Sequence, residues 1–182
     1  GLRCVALVAV EHGLVTGPTL TVHSAIGEHP ATVLPGGIVR AFVGTPHAFR
    51  TETLKVAGHS VRPVGVGNPH AVLFVEDVDD VDVEGIGSTI EHDPIFPEGT
   101  NVEFVAIDEG NRITVRVWER GVGETAASGT GSAAAAFAAR SVAELGDAVT
   151  VALPGGELLI EFDDDGAWMI GPAAIVYRGS VD

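Results

Sequence analysis

Many short β-type runs and few helical ones place this sequence in the α+β class. Three observations carry that reading. Apolar and polar residues alternate with period two in several short runs, as in Ile113-Thr114-Val115-Arg116-Val117-Trp118. The 24 glycines and 10 prolines fall largely between such runs, in Pro-Gly, Gly-Thr-Pro and Gly-Asn-Pro turns. Behind Ser128-Gly129-Thr130-Gly131 stands an alanine-rich run reaching Leu145, whose composition favours helix. An apolar fraction of 46% supplies a core, and 182 residues suffice for one large or two small domains.

Taken in order, residues 2–11 fit a buried helix or a strand. Their Ala and Leu content favours helix, ended by Gly13 just past its C-terminus. Strand-like runs follow at residues 19–24, 37–43 and 60–66, then a clean β run at 71–75. The acidic stretch 76–84 reads as a solvated surface segment. Residues 102–107 and 113–118 have hairpin spacing, and 158–162 and 167–170 form another pair across an Asp-Gly turn. Residues 173–178 read as one more strand. The helix behind Ser128 has no polar face over Ala133–Ala139, so it is expected to be buried on all sides. Its first N–H groups, at Ser128–Gly131, should then stay open to an anion such as a ligand carboxylate.

Charge narrows the partners. The formal net charge is −15, which argues against nucleic acid and anionic membrane. Lys55 is the only lysine among ten basic residues, a balance that fits solubility in high salt or an acidic protein from a GC-rich bacterium. No run is apolar enough to span a membrane, and no signal sequence opens the chain, so the expected location is the cytoplasm. The single cysteine, Cys4, forms no internal disulfide and is read as an inert core thiol.

Several motifs are weak alone. Gly121-Val122-Gly123-Glu124-Thr125-Ala126 mimics a dinucleotide fingerprint, but the helix begins too late and the surroundings are strand-rich. A phosphate loop with Gly-Lys-Ser/Thr is missing, and the seven histidines are scattered, so no metal site is expected. Three polar clusters remain, Gly67-Asn68-Pro69-His70, Phe96–Asn101 and Glu119-Arg120. Singly each fits turn chemistry. Together with the helix start they supply amides, a carboxylate, a guanidinium and open N–H donors, which are the parts for gripping a zwitterionic amino acid.

The segments GNPHAVLFVED, FPEGTNVEFV, VWERGVGETAASGTGSAAAA and LPGGELLIEF stand in the order and spacing of the diaminopimelate epimerase family, which the chain resembles over most of its length. Gly1-Leu2-Arg3-Cys4 resembles the end of that family's motif Cys-Gly-Asn-Gly-x-Arg-Cys, which would put a catalytic cysteine upstream of Gly1 and make Cys4 the non-catalytic one. The resemblance implies strands wrapped around a central helix in each of two pseudo-symmetric domains. Residues 1–58 with a return strand at 174–182 would belong to an incomplete first domain, and 59–173 to the second. It implies no cofactor and a small-molecule substrate, diaminopimelate, inverted at its α-carbon in lysine biosynthesis. Ser128, His70 and Glu119 match catalytic positions, and Asn68, Asn101, Glu119, Arg120, Gly129 and Thr130 match substrate-binding ones. Either a missing N-terminal segment or a second copy is the expected partner.

One departure bears on the chemistry. Where the family has its second catalytic cysteine, this chain has Ser128. A thiol is readily tuned to the thiolate at a helix N-terminus, whereas an alcohol does not ionise there without a strong base beside it. Two rivals to an epimerase follow. One is a binding protein that keeps the carboxylate grip, and the other is a proline racemase or phenazine-biosynthesis-type isomerase on the same scaffold.

Overall fold

The computed structural model describes residues 1–50 and 52–180. Among the described residues, three α-helices, α1 (Leu2–Glu11), α2 (Val83–Glu91) and α3 (Gly129–Arg140), accompany thirteen strands. The strands are β1 (Thr19–Ser24), β2 (Gly27–Leu34), β3 (Ile38–Gly44), β4 (His47–Ala48), β5 (Leu54–Val56), β6 (His59–Gly65) and β7 (Pro69–Phe74), then β8 (Asn101–Ile107), β9 (Arg112–Glu119), β10 (Gly123–Thr125), β11 (Ala148–Leu153), β12 (Gly156–Phe162) and β13 (Ala167–Pro172). The fold is α+β, and the hairpins β8–β9 and β12–β13 pair antiparallel as expected.

The main sheet runs β1-β2-β3-β13-β12-β11-β9-β8-β7-β6-β4, with β10 added on β9 and β5 on β6. Only residues 45–46 separate β3 from β4, yet these two lie far apart along that path. The path must therefore bend round nearly to meet itself. What it bends around is α3, which touches β3, β6, β7, β8, β9, β11, β12 and β13. Alanines make this possible: Ala133, Ala134, Ala135, Ala136, Ala138 and Ala139 are all buried, and their short side chains let strands approach on every side. Strands of both expected units belong to this one sheet, joined where β3 pairs with β13 and where β4 and β5 pair with β6.

Two parallel pairs, β7–β8 and β9–β11, require crossovers, and α2 and α3 supply them from opposite faces of the sheet. Val102 and Phe104 of β8 pack with α2 residues Val83 and Ile90, while Val105 packs with the α3 alanines. A strand covered on both faces reads as a nearly continuous apolar run, as β8 does.

The structure corrects several expectations. Helix α2 lies at the end of the acidic stretch, where Asp82 caps it by accepting from the Gly85 N–H at 2.9 Å. Strand β2 escaped notice because it holds Pro30, which lies just outside the β2–β3 ladder that begins at Ala31. Helix α3 stops at Arg140, not Leu145. The Ser141 hydroxyl donates to the Ala138 carbonyl at 2.6 Å and competes with continued helix there. Residues 173–178 are not a strand, because both edges of β3 are taken by β2 and β13. After the Ala173 N–H bonds the Gly37 carbonyl, the chain crosses α1, where Ile175 packs and Arg178 pairs with Glu11 at 2.7 Å. Of the expected return strand, residues 181–182 lie outside the described residues. Cys4 is exposed instead of buried: α1 turns Ala6 and Leu7 onto β1–β3 and leaves Cys4, Val5 and Val8 outside.

Candidate active site

The starts of parallel β7 and β8, the end of antiparallel β9 and the start of α3 all fall at one end of the sheet. This juxtaposition, dictated by topology, gathers the expected residues. Alternation along β7 turns Ala71 and Leu73 towards α2, and so His70 and Val72 towards α3. On β8 the same rule turns Glu103 inward beside His70.

A connected polar chain results. His70 Nδ1 lies 2.6 Å from Glu103 Oε1, with both side chains fully buried. His70 Nε2 lies 2.9 Å from Asn68 Oδ1. The Asn68 amide N–H donates in turn to Thr130 Oγ1 at 3.5 Å, bridging sixty-two positions of sequence. Burial drives the Glu103 carboxyl above its usual range; the His70 charge and hydrogen bond oppose this, and the nearby Glu119 adds to it.

A second chain runs beside the first. Asn101 accepts from the Arg120 backbone N–H at 3.0 Å and donates to the Pro69 carbonyl at 2.9 Å, which leaves one amide N–H without a partner among the described residues. The Arg120 guanidinium donates to the Glu98 carbonyl at 3.0 Å. Glu119 accepts from the Thr125 hydroxyl at 2.6 Å across the β9–β10 turn. Asn68 and His70 thus stand at the start of α3, and Asn101 and Arg120 form a second group linked to them through Pro69.

At that start Ser128 is the N-cap, in extended conformation, and its hydroxyl accepts from the Gly131 N–H at 3.2 Å. The expectation of four open donors is therefore corrected: Gly131 is satisfied by Ser128 itself. The N–H groups of Gly129 and Thr130 have no partner within the helix and none among the described residues. Two N–H groups at the positive end of a buried helix suit a carboxylate. A groove of about 500 Å³ lined by Phe49, Leu54, Pro69 and Phe96 lies nearby, but it is apolar and is not where these polar groups converge.

Sequence reasoning missed two carboxylates. Glu103 carried a signal, a lone charge inside an apolar strand. Glu91 is buried on α2 and accepts from the Trp118 indole N–H and the Gly121 N–H, each at 2.7 Å, so it fixes the turn that carries Glu119 and Arg120. Among the described residues no cluster of His, Cys, Asp or Glu is arranged to hold a metal ion, and no helix is long and apolar enough to cross a membrane.

The curled sheet around a buried helix is a fold shared with solved structures of other proteins. A probable proline racemase from Agrobacterium radiobacter K84 superposes with a TM-score of 0.73 at 18% identity, over 100% of this chain and 67% of the other. A phenazine biosynthesis protein of the PhzF family from Bacillus anthracis superposes with a TM-score of 0.63 at 15% identity, over 90% and 68%. At such identities the likeness defines the fold. Sequence defines the family more narrowly: residues 63–177 match the family model for diaminopimelate epimerase. A diaminopimelate epimerase from Moorella thermoacetica is 40% identical, over 98% of this chain and 72% of that protein. The chain belongs to the diaminopimelate epimerase family of isomerases.

Proposed function

We propose that this chain epimerises LL-diaminopimelate to the meso form without pyridoxal phosphate, in the cytoplasm and in lysine biosynthesis. The observation that carries this reading is the pair of open N–H groups at Gly129 and Thr130, set beside the Asn68–His70–Glu103 chain. The α-carboxylate of the substrate takes those N–H groups, with Asn68 and the free amide N–H of Asn101 beside it. Arg120 holds the distal carboxylate and Glu119 meets the distal ammonium. His70 and Glu119 serve the groups that move the α-proton. The site faces the junction of two units, residues 1–58 with 174–182 and residues 59–173. A family-type N-terminal segment would supply a thiol across it, and a second copy of the chain is the alternative partner. Neither nucleic acid nor membrane takes part.

Ser128 supports a second reading, binding of the amino acid without inversion. Its hydroxyl already caps Gly131 and is a poor proton donor and acceptor at neutral pH. Calorimetric titration tests the grip common to both readings. Arg120→Gln should weaken diaminopimelate binding by roughly tenfold or more, since a hydrogen bond to a charged group contributes about 1.5–3 kcal/mol. A monocarboxylic amino acid should lose nothing. Equal losses for both ligands would place Arg120 away from the distal carboxylate and sink the diaminopimelate assignment.

A further inference from the structure

A buried carboxyl that no expected role uses stands directly behind His70. Glu103 is fully buried, and its Oε1 is 2.6 Å from His70 Nδ1. Its other oxygen, Oε2, is buried with no hydrogen-bond partner among the described residues. The groups facing it are His70 from β7, Glu119 from the end of β9 and the start of α3, where a side chain at Gly131 would meet Oε1 at 2.9 Å. A structural ion pair in such a place is expected to satisfy both oxygens, since a bare buried carboxylate oxygen is costly. Here only the oxygen that faces the imidazole is engaged.

Proton positions follow from the contacts. The atom opposite His70 Nε2 is the Asn68 amide oxygen, which only accepts, so Nε2 carries a proton. A further proton lies between Nδ1 and Glu103 Oε1, and the pair together is neutral. We propose that Glu103 is a positioning residue that fixes His70 through Nδ1, turns Nε2 towards Asn68 at the edge of the cleft, and spares the buried imidazole an unpaired positive charge when a proton moves at Nε2. The proton balance is simple. When Nε2 leaves Asn68 and gives its proton to a thiolate in the cleft, the thiolate becomes a thiol, the remaining proton settles on Nδ1 facing an ionised Glu103, and the negative charge moves from the sulfur to the pair. When Nε2 regains a proton the pair returns to neutral. At no point is a lone imidazolium buried, which a histidine without Glu103 could not avoid. The proposal rests on the reading of His70 as an acid–base group of an epimerase site.

The test reads the pair itself. With the chain labelled at histidine nitrogen, and His70 assigned by loss of its signals in His70→Asn, the wild type should show a protonated Nε2 and a far-downfield proton at Nδ1. Glu103→Gln, close in shape, should move that proton back to the range of an ordinary neutral hydrogen bond. In the chain joined to a family-type N-terminal segment, the same variant should lower kcat about tenfold or more with KM nearly unchanged. Identical His70 ring signals in wild type and Glu103→Gln overturn the proposal whatever the turnover. So does a folded wild type without the far-downfield proton, a result that stands even if the variant fails to fold. The expected ring signals in a chain that exchanges no α-proton support the positioning role, and the epimerase reading then falls alone.

Discussion

Under the proposed function, Ser128 is the residue on which the chemistry turns. As an N-cap it is well chosen, because its hydroxyl accepts from Gly131 while the first two N–H groups of α3 stay open. As an acid–base group it is poorly suited, because an alcohol at a helix start still holds its proton far above neutral pH. Ser128→Cys keeps the size and gives a group tunable to the thiolate. In the chain joined to a family-type N-terminal segment it should raise inversion by at least roughly a hundredfold, the lower bound for positioned acid–base catalysis. Equal rates would mean that Ser128 either performs the proton transfer or stands outside the reacting centre. Glu103 gives a prediction of another kind. Burial raises its value above the usual 4.5, so the native state holds a proton that the unfolded chain has already released. The stability Glu103 contributes is whole below 4.5 and is lost as pH rises through the native value. Urea midpoints for wild type should therefore fall over that window relative to Glu103→Gln, by at most about 1.4 kcal/mol per pH unit. Parallel curves for the two proteins would contradict a raised carboxyl at this position.

Helix α2 shows how an element can be specified and still hide. Its sequence, Val-Glu-Gly-Ile-Gly-Ser-Thr-Ile-Glu, is rich in poor helix formers, so composition does not announce a helix. What demands it is the parallel pairing of β7 with β8, a contact distant in sequence. Gly87 shows why the composition is poor. A Cβ there would stand 2.6 Å from Trp118 Cγ, so the helix can lie against β9 only without one. Gly87→Ala would gain about 1 kcal/mol as an isolated helix substitution. Against Trp118 the overpacking should win, with a net loss of about 1–3 kcal/mol in chemical denaturation. A stabilised variant would show that α2 and β9 are not so closely packed. Other elements were legible because their causes are local. Period-two alternation located β9, hairpin spacing placed β8 before it, and alanine content behind a small-residue turn located α3. The residues 173–178 have strand composition but no free edge of β3 to pair with, which only the assembled sheet reveals. The site was legible as motifs: Asn68 joins His70 to Thr130 at the start of α3, while Arg120 bonds Asn101 and the Glu98 carbonyl beside them. Glu103 and Glu91 were not, because their importance comes from what β8 and α2 face once folded.

At the scale of the whole molecule, a near-closed sheet wraps α3 while α1 keeps one face open. Val5 is 50% and Val8 40% exposed on that face, and a half-covered helix is weakly held. Amide exchange should accordingly be slow through α3 and fast through α1. Self-repulsion acts on everything at once: at a formal net charge of −15 the folded chain should gain stability as salt shortens the screening length from about 10 Å at 0.1 M to about 3 Å at 1 M. A melting temperature that does not rise with sodium chloride would show that the charges are already spaced widely enough. The central claim, that this scaffold moves the α-proton of diaminopimelate, has a direct measurement. The chain joined to a family-type N-terminal segment with its cysteine is incubated with each stereoisomer in D₂O, and deuterium at the α-carbon is followed alongside inversion. The account predicts exchange from the face served by the thiol and slow inversion through the Ser128 face, with both faces active in Ser128→Cys. Diaminopimelate bound at Gly129 and Thr130 with no α-deuterium from either isomer, in the wild-type chain and in Ser128→Cys alike, would contradict it.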